Sequence, residues 1–174
     1  MSTVVYVASL SVGASLDRTA ARALGRELRR LEARHTALRA LRARDHTVAS
    51  LEQRLLEHGA APAVRRETLE VAQRSGLVDD RRFAVNRAES LARRGVGDAG
   101  IVADLERRGV MATDIHDVLG LLEPETSRAM AIIEVRGRNS RSVRHLAAKG
   151  FSEETIEKIV ADMGGDAVGC EGFI

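Results

Sequence analysis

Three times along the chain a leucine is followed, four positions on, by a glycine that closes an apolar-periodic run. Leu55 precedes Gly59, Leu105 precedes Gly109, and Leu146 precedes Gly150. A basic or imidazole side chain (His58, Arg108, Lys149) stands just before each glycine. A cation in the last turn complements the negative end of a helix, and glycine takes the left-handed position beyond it. The spacing therefore predicts short helices over Val48–His58, Asp98–Arg108 and Arg141–Lys149. A small or apolar residue follows each glycine: Ala60, Val110 or Phe151. Thr113 and Ser152 are then the expected caps of new helices. Ile115 and Ile156 lie six positions past their glycines, and Val118 and Ile159 nine past. In the first copy a stretch around Pro62 displaces the pattern, putting Leu69 and Val71 in those places.

Each copy also has a leading helix, at about 37–44, at Asp80–Arg94 and at Glu125–Arg136. The chain thus reads as three copies of helix, short helix, helix. The glycines are 50 and 41 residues apart, which suits a repeat of that length. One such unit buries little apolar area, so neighbours are expected to stack. The fold class expected is all-α, with tandem three-helix repeats forming an elongated, curved array. The expected divisions are an N-terminal arm and Arg-rich helix (1–36), repeats over 37–79, 80–122 and 123–163, and a flexible, glycine-rich tail (164–174). Thr3–Val12 is apolar and β-branched, and reads as a short strand or extended arm. Asp17 is positioned to cap a long helix whose apolar stripe is Leu24, Leu28, Leu31, Leu38 and Leu41. A break is expected near Arg34–Thr36.

Composition narrows the core. Aromatics are 2% of residues, so Leu, Val, Ile and Ala must fill it. Charge divides the chain: residues 1–94 carry 18 Arg against 11 acids, while residues 95–174 carry 9 basic and 14 acidic residues. Nine of those Arg face three acids within residues 17–44. Such a split fits opposite faces meeting different partners, or solvated helix faces without a partner. Cys170 is the single cysteine, which allows no intrachain disulfide. No apolar run approaches membrane-spanning length, and residues 1–15 lack a basic leader. A cytoplasmic protein is expected.

Catalytic chemistry is hard to find. His35, His46, His58, His116 and His145 show no metal-ligand spacing and read as helix-surface residues. No nucleophile elbow, phosphate-cradling loop or cysteine cluster is present. Asp79 and Asp80 point about 100° apart on a helix, so they read as cap and first-turn acid rather than an acid/base pair. Neither an enzyme, nor a cofactor, metal or small-molecule substrate, is expected. Arg94-Gly95-Val96-Gly97 is a Gly-apolar-Gly turn, which either presents amides to a DNA phosphate or simply joins two helices. Arg93, Arg94, Arg107, Arg108, Arg136, Arg138, Arg141, Arg144 and Lys149 are candidate contacts to phosphate or an acidic protein groove. The alternative is that they compensate helix dipoles.

In its order of signals the chain resembles the RecX family, regulators of the RecA recombinase. The resemblance runs from about residue 37 to 161. It rests on Ala37–Arg44, on Thr47 to Gly59 with Leu51 and Leu55, and on Gly76-Leu77-Val78-Asp79-Asp80-Arg81-Arg82-Phe83-Ala84. It continues through Arg93–Gly97, Ile101, Leu105, Arg108-Gly109-Val110 and Leu146–Ser152. Asp79, Asp80 and Phe83, with Gly59, Gly109 and Gly150, are its structural signature. The resemblance implies a curved repeat molecule in the groove of the RecA–DNA filament, suppressing ATP hydrolysis and strand exchange and so modulating recombination and the SOS response. It implies no catalytic residue. Residues 1–36 lie outside it, although some relatives have an N-terminal β-hairpin of which Thr3–Val12 is a shortened counterpart. Other readings of the same residues are a stand-alone helical module on single- or double-stranded DNA, and a helical-repeat protein adaptor.

Overall fold

The structure is a computed structural model that describes residues 15–168. Thr3–Val12 lies outside those residues. Everything regular among them is helix: α1 (Arg18–Ala43), α2 (Val48–Glu57), α3 (Pro62–Arg74), α4 (Asp80–Arg93), α5 (Asp98–Glu106), α6 (Ala112–Leu119), α7 (Glu125–Arg136), α8 (Ser140–Ala148) and α9 (Glu153–Val168). The chain divides into two compact units at Asp79/Asp80.

The leucine–glycine recurrence is a helix-ending device. Gly59 and Gly109 have φ +75° and Gly150 has φ +76°, a region that favours glycine. That turn aims the next amide back at the leucine carbonyl: Ala60 donates to Leu55 (3.1 Å), Val110 to Leu105 (3.2 Å) and Phe151 to Leu146 (3.1 Å). All three leucine side chains are fully buried. Each leucine thus anchors the core with its side chain and ends its helix with its carbonyl. The same bond closes α3 and α4, from Leu77 to Ala72 (2.9 Å) and from Val96 to Leu91 (3.1 Å).

The first unit is built of α1, α2 and α3 around Ala33, Ala37, Leu51, Leu55, Leu69, Ala72 and Val78. Asp17 caps α1 as expected, accepting from the Ala20 amide at 2.7 Å. At α2 Thr47 and Ser50 cap each other reciprocally. Three expectations fail here. α1 runs unbroken through Arg34–Thr36, because Ala33, Thr36 and Ala37 are its core-facing residues. The leucines expected to face the core instead leave Leu28, Leu31 and Leu38 exposed, since alanines let α1 lie closer to α2 and α3. In α3 it is Ala72, not Val71, that turns inward beside Leu69. His46 also departs from the surface reading of the histidines: it is buried, its Nδ1 3.0 Å from the Ser50 hydroxyl.

The second unit holds two three-helix clusters. α4–α6 close over Ala84, Ala88, Leu91, Ile101, Leu105, Val110, Ile115 and Val118. α7–α9 close over Ala129, Ile133, Leu146, Phe151 and Ile159. Asp80 is the first-turn acid of α4, and Phe83 packs against the α4–α6 core. Thr113 is not the cap of α6. That position falls to Met111, which supplies no side-chain bond, and Thr113 lies inside the helix. α9 continues through Gly164 to Val168, past the point where the apolar pattern stops, since each added residue still gains one helix hydrogen bond.

Candidate interaction surface

Two polar assemblies decide which basic side chains of the second unit are engaged internally. The first centres on Asp104, in the last turn of α5. Arg87 on α4 grips it with a two-pronged contact, Nε to Oδ2 at 2.8 Å and Nη2 to Oδ1 at 3.0 Å. Arg108 adds Nε to Oδ2 at 2.8 Å and lies 6.0 Å from the Phe83 ring centre. The Asp104 side chain is 12% exposed. The Arg87 hydrogen bonds, joined by those of Arg108, outweigh burial and hold its carboxyl well below the usual carboxylate range. The guanidinium of Arg108 therefore serves the α4–α5 packing. Its neighbour Arg107 stays exposed, donating to the Ala103 carbonyl at 3.0 Å.

The second assembly joins the two clusters of this unit. The Gly97 amide donates to the Lys149 carbonyl at 3.0 Å, and the Gly100 amide to the Gly150 carbonyl at 3.2 Å. The backbones approach so closely that a Cβ on Gly97 would stand 2.3 Å from the Phe151 backbone. Glu125, the first residue of α7, sits beside this seam. It accepts from the Asp98 amide (2.6 Å), the Ser152 amide (3.1 Å), the Ser152 hydroxyl and the Thr155 hydroxyl (2.7 Å). Burial works against its charge, but these hydrogen bonds outweigh it and hold its pKa below the ordinary value. Arg128, one turn on, donates to the Val96 carbonyl at 2.9 Å and to the Asp98 carboxylate. Burial nonetheless pushes the Asp98 carboxyl up, against the pull of Arg128. Ser152 caps α9 with the hydroxyl that also meets Glu125.

This seam bears on the Gly95-Val96-Gly97 turn. The Gly97 and Gly100 amides point at carbonyls of the third cluster, so the turn works as an interhelix joint and not as a phosphate cradle.

The side chains of the remaining basic candidates lie outside both assemblies. Arg93 and Arg94 are exposed at the end of α4, with Arg93 3.4 Å from Glu89. Arg136, Arg141, Arg144 and Lys149 are exposed around the α7–α8 turn and along α8. Arg138 reaches Asp162 at 3.2 Å. Partial burial and the charges of Arg136 and Lys149 hold the pKa of His145 down, which places these three in one positive field. Among the described residues no group of three His, Cys, Asp or Glu side chains is arranged to hold a metal ion. No helix among them is long and apolar enough to cross a membrane.

Curated relatives and solved structures point to one family. A regulatory protein RecX of Halorhodospira halophila is 31% identical over 138 residues, covering 74% of this chain and 86% of the relative. One of Chromohalobacter salexigens is 32% identical over 137 residues, covering 74% and 90%. The chain belongs to the RecX family. No family model matches it. Among solved structures, a RecX crystal structure aligns with a TM-score of 0.72 at 22% identity, covering 91% of this chain and 86% of that one. RecX from Lactobacillus salivarius aligns with a TM-score of 0.67 at 17% identity, covering 78% and 97%. At those identities the structures speak for the fold, and the all-helical architecture is theirs as well.

Sequence reasoning missed Arg87, Asp104, Glu125 and Arg128. Arg87 pairs across 17 residues and Glu125 across 27, so no local spacing marks them. Asp104 carries one local sign: it lies four residues before Arg108, the usual spacing for a helix ion pair.

Proposed function

We propose that this chain regulates a RecA recombinase without catalysing a reaction, by lying along the RecA–DNA filament and restraining its ATP hydrolysis and strand exchange. The observation that carries the reading is the kinship with RecX proteins across 74% of the chain. The exposed arginines and Lys149 of the second unit support it. A basic surface on packed helices suits a partner with phosphates or acidic side chains, and guanidinium groups bind both in forked geometry. Arg93, Arg94, Arg107, Arg136, Arg141, Arg144 and Lys149 are the proposed contacts, with Arg138 at their margin and Arg108 behind them as a support. A partner of that kind implies a cytoplasmic protein.

The test is RecA-dependent ATP hydrolysis on single-stranded DNA, with this protein titrated in. Falling hydrolysis supports the reading, and an unchanged rate at excess protein overturns it. A stand-alone DNA-binding module is distinguished by salt-sensitive binding to DNA with no recombinase present.

A further inference from the structure

α1 has two apolar faces, and among the described residues the first unit uses one. Ala33, Thr36 and Ala37 enter its core, with Ala40 and Leu41 partly buried beside them. No residue of α1 before Ala33 is buried. At about 100° per residue, Leu24, Leu28, Leu31 and Leu38 share a narrow arc on the opposite side. Leu28, Leu31 and Leu38 are 48%, 47% and 41% exposed.

The spacing of these leucines is that of a coiled-coil seam. With Ala21, Leu28 and His35 at position a, Leu24, Leu31 and Leu38 fall at d. Glu27 and Arg34 then flank the seam at g, and Glu32 and Arg39 at e. Those charges choose an orientation. A parallel pair sets Glu27 against the partner's Glu32 and Arg34 against the partner's Arg39, two repulsive contacts per side. An antiparallel pair with Leu28 layered on the partner's Leu31 sets Glu27 against the partner's Arg34, twice by symmetry. The same register stacks Leu24 on the partner's His35 and Ala21 on the partner's Leu38. Within one chain Glu27 already holds Arg30 at 2.7 Å and Arg34 reaches Glu67 at 3.5 Å, so the cross pairs would extend an existing ion network.

We infer that the leucine face of α1 is a self-association surface, and that its occupant is α1 of a second copy in antiparallel register. The test is sedimentation equilibrium of the full chain from low micromolar to about 100 µM. A dimer is expected for the natural sequence, and a monomer of unchanged helical circular dichroism for Leu28→Asp/Leu31→Asp. Glu27→Arg and Arg34→Glu each weaken association by about tenfold through like-charge contacts, and the double reversal restores it. If the leucine variant loses helicity, the charge-reversal series decides. A natural chain that stays monomeric throughout overturns the inference, as does a dimer untouched by the leucine changes. Charge reversals without effect overturn the antiparallel register.

Discussion

The second and third clusters place different groups, a carboxylate and an imidazole, at one repeat position. Asp104 and His145 each stand just before the buried leucine that ends its helix, and Arg108 and Lys149 each stand just before the glycine. In the second cluster the acid captures the terminal cation, and Arg108 turns inward over Phe83. In the third, no acid stands there: His145 lies in the positive field of Arg136 and Lys149, burial and that field hold its pKa down, and Lys149 stays exposed. The same repeat grammar therefore makes a strut in one copy and a displayed charge in the next. A basic residue at a helix end has no fixed task. What lies one turn earlier assigns it.

That contrast can be broken at several points. The largest effect is expected at the seam. Gly97→Ala forces a methyl group into the Phe151 backbone, and should cost about 3 kcal/mol or more in urea unfolding. A loss below about 0.5 kcal/mol would mean the clusters part easily. Next comes Asp104→Asn, which leaves Arg87 and Arg108 facing a neutral amide and should cost about 3 kcal/mol. It should also alter the acid limb. The folded pKa of Asp104 lies below its unfolded value, so its contribution is complete above the ordinary aspartate range near about pH 4 and fades as pH falls further. The variant should lose less stability than the natural chain across that fall. Equal pH slopes would remove Asp104 from the account.

Glu125→Gln keeps one acceptor oxygen but swaps the other for a donor facing the Ser152 and Thr155 hydroxyls. It should cost about 1–2 kcal/mol, read by the same unfolding curves. The smallest effect on stability belongs to His145→Asp, which copies the arrangement of the second cluster into the third. Stability should move within about 0.5 kcal/mol. The new carboxylate should draw in Lys149, so on the proposed function any restraint of RecA ATP hydrolysis should weaken. An unchanged effect on RecA would remove the displayed charge of α8 from the proposed contacts.

What was legible in the sequence was what the chain decides locally. The leucine–glycine endings and the Asp17 cap depend on residues within one or two turns, and they stand in the structure, whereas the leading helix expected at about 37–44 is the last part of the long helix α1. The inward face of α1 was hidden, because leucine periodicity outweighs alanine in any hydrophobic count. Packing instead favoured the residues that let helices approach. The polar assemblies were hidden for a different reason. Glu125 meets Ser152 and Arg87 meets Asp104 only once the helices have packed, and no periodicity links them beforehand.

The mutual approach of Gly97, Gly100 and Gly150 bears on how far such repeats can be shuffled. Stripped of the third cluster, the second would present bare amides and a narrow glycine cleft where its neighbour's backbone had lain. A longer array made by copying the second cluster end to end would need a Glu125 and an Arg128 at every new boundary. The repeats look alike in sequence, yet these two are cut as halves of one joint rather than as interchangeable bricks.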